Sequence, residues 1–205
     1  MLICFTNCQN RETNKDNNCN SDVFYESSRN EFLKGDLKNY SYNPRTGFTK
    51  QNFDEDLYRV ILRQDSSIRV DGIVEFNKEF NLTIDTAVWN YVFISKNLNE
   101  DLTLSSTNNK AEQIIKKTEF KIDPVSYFIK LKKHVERYRI IEIEKHQSVN
   151  TIKLIFSDHD YLIYKPDTLK FKTDTKDFMT YLFQDSIRLD RNWYQFKTKI
   201  NIDYN

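Results

Sequence analysis

Residues 68–76 read Ile68-Arg69-Val70-Asp71-Gly72-Ile73-Val74-Glu75-Phe76. Two β-rich runs flank an Asp-Gly pair. Asp-Gly suits a type I′ turn, which needs positive φ at both central positions. The stretch therefore predicts a short β-hairpin. Asn77-Lys78 would turn the chain again, into a further run over Phe80-Asn81-Leu82-Thr83-Ile84.

Upstream of this stretch the period is helical. Phe24, Tyr25, Ser28 and Phe32 share one face over 22–34, and Gly35 follows where a C-cap glycine sits. Asn43-Pro44 and Gly47 make 36–48 a loop by turn chemistry. Asn52 is placed to cap a second helix with Asp54, Glu55 and Asp56 in its first turn. Its buried stripe would be Phe53, Leu57, Val60 and Ile61.

Downstream, residues 86–98 fit either a helix capped by Asp85 or a strand, and the helical reading is preferred. Residues 99–110 read as polar loop and 111–118 as a short helix. Asp123-Pro124 is a strong helix start, an N-cap followed by proline at N1. It opens a helix over 124–138 that buries Phe128, Leu131, Val135 and Tyr138. Then the period drops to two. Ile141 and Ile143 alternate with Glu142 and Glu144, and Ile152, Leu154 and Phe156 follow the turn at Gln147–Asn150. Strands are expected at Tyr161–Lys165 and Leu169–Lys172. A helix capped near Asp174 carries Phe178, Tyr181 and Leu182. A last hairpin pairs Ile187–Leu189 with Trp193–Phe196. The expected fold class is α+β: N-terminal helices, a short β-hairpin region, then a helix packed on a C-terminal antiparallel sheet. Residues 1–20 are expected to be a tail and 21–205 one domain.

Composition bounds the function. The chain has 205 residues, with 31 Lys+Arg against 30 Asp+Glu. Such a balance lacks the overall charge of a nucleic-acid binder. A mean hydropathy of −0.72 would suit a disordered chain, but 15 Phe and 12 Tyr supply core side chains that disordered chains lack. No run of 18 apolar residues occurs, so no membrane-spanning helix is expected. Three glycines, at 35, 47 and 72, cannot build a phosphate-cradling loop. Metal-protease, calcium-loop and serine-elbow motifs are also missing, so neither catalytic nor cofactor residues are assigned.

All three cysteines, Cys4, Cys8 and Cys19, lie in the tail. That removes cysteine chemistry from the rest of the chain. Leu2 to Phe5, then Thr6, Asn7 and Cys8, resembles the lipobox at the end of a bacterial lipoprotein signal peptide. The polar residues 9–20 resemble the tether that follows. The match departs in its short apolar run, in Asn7 where a small residue is usual, and in having no Lys or Arg before Cys8. The resemblance implies lipidation of Cys8 and a place in the cell envelope, with the membrane met only through the lipid.

Three further groups stand out. Asp158-His159-Asp160 is the densest set of ligand-type or acid–base side chains, although aspartates so spaced also stabilise an ordinary turn. Residues 116–139 carry Lys116, Lys117, Lys121, Lys130, Lys132, Lys133, Arg137 and Arg139 against Glu119, Asp123 and Glu136. This is either a solvated, salt-bridged face or an electrostatic partner surface. Trp193, Tyr194 and Phe196 form either an aromatic row for a ligand or plain core packing. The preferred reading is a non-enzymatic, lipid-anchored envelope protein that binds a protein partner or stabilises an assembly. The alternatives are a cytosolic interaction module, such as a toxin-neutralising immunity protein, and a small hydrolase using Asp158, His159 and Asp160.

Overall fold

The computed structural model describes residues 20–52, 55–87, 89–106, 112–146, 151–166, 183 and 186–197. Within them lie β1 (Tyr40–Asn43), β2 (Gly47–Asn52), β3 (Glu55–Leu62), β4 (Ile68–Asp71), β5 (Tyr91–Lys96) and β6 (Leu102–Ser105). Then come β7 (Gln113–Ile115), β8 (Glu142–His146), β9 (Thr151–Ser157), β10 (Asp160–Tyr164), β11 (Ile187–Arg188) and β12 (Trp193–Lys197). All twelve form one antiparallel sheet in the order β11-β12-β10-β9-β8-β1-β2-β3-β4-β5-β6-β7. β1 to β7 form a meander that meets the C-terminal strands where Tyr42 of β1 lies opposite Ile143 of β8, and β12 makes a second non-consecutive pairing, with β10.

Four α-helices are described: α1 (Asn20–Ser27), α2 (Arg29–Lys34), α3 (Ile73–Phe80) and α4 (Pro124–Arg137). The sheet turns one face to them. Leu162, Leu154, Ile143, Tyr42, Phe48, Val60, Val70 and Val92 face one another strand by strand, and all are buried. Alternate side chains point the other way, as a pleated strand requires. Phe24 of α1 packs edge-on to Phe32, Tyr138 and Trp193, joining the helices to the C-terminal strands.

This architecture overturns the expected α+β arrangement. The helix expected after Asn52 is strand β3. Its alternation puts Tyr58 and Val60 in the core, while Arg59 and Ile61 face outward. The expected hairpin at Asp71-Gly72 is a strand-to-helix junction. Gly72 does take a positive φ of 84°, but β4 ends there and α3 begins, burying Ile73, Phe76 and Phe80 at helical spacing. A Cβ on Gly72 would stand 2.4 Å from the Leu57 carbonyl oxygen, so only glycine fits the junction. The run expected over Phe80–Ile84 is the end of α3 and a loop.

Residues 86–98 contain β5, with Val92 and Ile94 inward, and not a helix. Asp85 instead closes a local turn by accepting the Ala87 N–H at 2.9 Å. The expected polar loop at 99–110 holds β6. The expected short helix at 111–118 holds β7 and part of a 3-10 turn, Lys117–Glu119. The expected helix over 22–34 is broken at Ser28 into α1 and α2. Last, α4 makes its main sheet contacts with β3 and β5 rather than with the C-terminal strands. The tail, Phe53, Asp54, Val88, the turn at Gln147–Asn150, the strand at Leu169–Lys172 and the helix carrying Phe178, Tyr181 and Leu182 lie outside the described residues.

The start of α4 matches its sequence signal. Asp123 accepts N–H bonds from Val125 at 2.9 Å and Ser126 at 3.2 Å, a Ser126 hydroxyl bond at 2.6 Å, and an ion pair from Lys96 at 2.8 Å. Burial works to raise its pKa, but Lys96 and Ser126 together hold it below the usual aspartate value. Asp123→Ala should cost about 1–2 kcal/mol near pH 7. A depressed folded pKa gives stability that is complete above 3.8 and is lost as pH falls through the lower folded value. Urea unfolding of both proteins at pH 7 and below pH 3 checks this: the gap between them should shrink in acid.

Candidate functional site

The acid–base cluster read from the sequence does not converge. Asp158 and His159 are exposed in the turn between β9 and β10, while Asp160 is buried. One Asp160 oxygen accepts the Ser21 N–H at the start of α1, at 3.2 Å. Next to it, Gln195 donates to the Ser21 hydroxyl at 2.7 Å and to Asp22 at 2.6 Å, and Lys197 pairs with Asp22 at 2.7 Å. These groups fasten α1 to β10 and β12. Asp160 serves as a carboxylate at a helix N-terminus and is buried where His159 is exposed. The other histidines stand apart. His134 lies on α4 beside the Tyr138 hydroxyl at 3.4 Å. His146 is half-buried on β8; burial lowers its pKa, and Glu144 only partly offsets this. Among the described residues no three His, Cys, Asp or Glu side chains are grouped to hold a metal.

The aromatic row at the C-terminus splits between two faces. Trp193 is 2% exposed in the core. Tyr194 and Phe196 point the opposite way, Tyr194 against Phe183 at 4.4 Å and Phe196 stacked on Tyr161 at 4.5 Å. The basic stretch also divides. Lys116 and Lys117 pair with Asp101 and Glu100. Lys132 reaches the Tyr42 hydroxyl and Glu136, and Arg137 pairs with Glu31. Cys8 lies outside the described residues.

Two arrangements were not legible in the sequence. The first is a buried cluster of phenols. Tyr40 and Tyr58 hold their hydroxyls 3.0 Å apart, Tyr40 donates to Glu79 at 2.9 Å, and the Tyr127 hydroxyl is 3.4 Å from that of Tyr40. Lys50 lies over the Tyr40 ring at 4.8 Å and pairs with Glu79 at 3.4 Å. Burial drives the Tyr40 and Tyr58 pKa values far up, and Tyr127 to about 12. Phenols held so firmly protonated are poor bases and nucleophiles. The cluster joins β1, β3, α3 and α4 and works as a structural clasp.

The second lies on the outward face of β3, β4 and β5. Arg59, Asp71 and Tyr91 stand opposite one another across the three strands, as do Ile61, Arg69 and Phe93. The Arg69 guanidinium covers the Tyr91 ring and that of Arg63 covers Phe93, each at 4.6 Å. Every arginine has an acidic neighbour: Asp56 for Arg59 at 3.3 Å, Asp65 for Arg63 at 3.8 Å, and Asp71 for Arg69 at 3.0 Å. The result is a pre-ordered Arg-aromatic surface of balanced charge. A signal for it was present in the alternation of Tyr91-Val92-Phe93-Ile94, but only after that segment is read as a strand.

No family model, curated protein or solved structure matches the chain.

Proposed function

We propose that the protein is a non-enzymatic binding module of the cell envelope, tethered by a lipid on Cys8, that grips a protein partner with the outward face of β3, β4 and β5. The observation that carries this reading is the row of Arg59, Arg63 and Arg69 set among Tyr91 and Phe93. Arginine and aromatic side chains are the types enriched where protein interfaces concentrate their energy. Here they are half-ordered in advance by one another, which lowers the entropy lost on binding. The paired acids leave the face near neutral, which favours a protein over a polyanion. The dispersal of Asp158, His159 and Asp160 speaks for binding rather than hydrolysis.

A photo-crosslinking phenylalanine analogue placed at Phe93 of the native chain should yield one discrete adduct in cells. The same analogue at Val74, exposed on α3, should not. No adduct at Phe93, or equal adducts at both positions, would overturn the binding face. The anchor has its own test. A clickable fatty acid should label the native protein and leave Cys8→Ser unlabelled; an unlabelled native protein removes it from the envelope.

A further inference from the structure

The outer side of α4 is a second surface that the partner face does not use. Lys130, Lys133 and Arg137 recur at helical spacing and are exposed, on the side opposite the buried Phe128, Leu131 and Val135. Arg139 extends the row just past the helix end. Lys130 and Lys133 have no ion-pair or hydrogen-bond partner among the described residues. Counting Lys132 with these four gives five basic residues, against Glu136 and the Glu31 that reaches over from α2, a net +3.

The position of the stripe gives it meaning. Arg139 donates to the Asn20 side chain at 3.2 Å. Asn20 is the residue at which the described fold begins. Asn20 therefore sits beside Arg139, at one end of the stripe. Cys8 lies twelve positions before Asn20, a span of at most about 40 Å when fully extended. The helix itself is about 21 Å long at 14 residues. A bilayer holding a lipid on Cys8 is thus within reach of every basic residue in the row.

We infer that the outward face of α4, through Lys130, Lys133, Arg137 and Arg139, rests on the anionic headgroups of the membrane in which Cys8 is anchored. This rests on the lipid-anchor reading and deepens it. A row of flexible, unpaired lysines suits a diffuse layer of negative charge. It lacks the exposed aromatic rings that single-stranded nucleic acid stacks on. A lipid chain combined with a basic patch is also a recognised route to stable attachment. Seated on α4, the domain would turn the opposite, Arg-aromatic face of the sheet away from the bilayer.

Cosedimentation of the full chain carrying Cys8→Ser tests the stripe without help from an acyl chain. The vesicles are phosphatidylcholine alone, or phosphatidylcholine with phosphatidylglycerol. Binding is expected to the anionic vesicles only, and to disappear in high salt. Lys130→Glu with Lys133→Glu should weaken it by about 20-fold or more, since each basic residue at such a surface contributes roughly a factor of five. Arg45→Glu with Lys78→Glu, an equal change of charge elsewhere, should weaken it by less than a few-fold. Circular dichroism establishes that both variants are folded. No binding to anionic vesicles, or equal loss in the control variant, overturns the proposal. So does equally tight, stripe-dependent binding to heparin, which would make the row a general polyanion site. Fatty-acid labelling of the native protein is read separately, so loss of the anchor and loss of the stripe are told apart.

Discussion

Phe128→Ala should destabilise the protein by about 3–5 kcal/mol, the largest effect expected of a single core truncation. Phe128 is fully buried on α4. Its ring lies 5.6 Å from Tyr40, 5.7 Å from Phe48, 5.7 Å from Phe80, 5.2 Å from Tyr127 and 6.5 Å from Phe76. These partners come from β1, β2, α3 and α4 itself, so no single neighbour can shift to fill the gap. The loss is then the transfer term plus a persistent cavity. For a chain of this size a Tm fall of roughly 10 °C follows. Thermal and urea unfolding monitored by circular dichroism would measure it. Lys130→Ala, on the exposed side of the same helix, should stay within about 0.5 kcal/mol. A loss below about 1 kcal/mol for Phe128→Ala would mean that α4 does not pack on the sheet as described.

The same contrast explains what could be read in advance. The start of α4 was legible because its signal is local: Asp123, Pro124 and the apolar spacing of Phe128, Leu131 and Val135 need no distant partner. Pairing of β8 with β9, of β9 with β10 and of β11 with β12 was legible for a similar reason, since these runs follow one another closely in the sequence; pairing of β12 with β10 was not, because residues 165–192 lie between them. Residues 53–61 misled because Leu57 and Ile61 add apolar side chains to the outward side of a strand. The sum of both faces imitates a helical stripe. Asp71-Gly72 misled in another way. Positive φ was implied at both Asp71 and Gly72 and occurs only at Gly72, where it ends the strand whether the next element is a strand or a helix. Ile73, Phe76 and Phe80 then decide for helix through their spacing. The seam between β1 and β8 had no local signal at all, because Tyr42 and Ile143 are brought together only by the completed sheet. The phenol clasp shares that obstacle, with members on β1, β2, β3, α3 and α4.

That clasp makes the fold sensitive to alkali. Burial first raises the pKa values of Tyr40, Tyr58 and Tyr127 above the ordinary value of 10.0; the neighbouring phenols add to this at Tyr40, whereas at Tyr58 and Tyr127 the hydrogen bond with Tyr40 works against it and Glu79 adds to it. Tyr138 is pushed up to about 12 by burial and by Glu31. A raised folded pKa means that the native state holds its proton where the unfolded chain releases it. The stability so gained is complete below pH 10 and is lost as pH rises towards the folded values. Each phenol that stays protonated in the fold contributes a slope of about 1.4 kcal/mol per pH unit above 10. Tyr40 and Tyr58, both buried, together give about 2.7 kcal/mol per unit. Two units of pH would then consume a stability of ordinary size, between about 5 and 15 kcal/mol, at its lower end. The protein should unfold cooperatively near pH 12, and the phenolate absorbance of these tyrosines should appear together with the loss of sheet signal. Tyr58→Phe should make the fall shallower by about one phenol's share. Phenolate absorbance from all twelve tyrosines near pH 10, with the sheet intact, would show that the clasp is open to water.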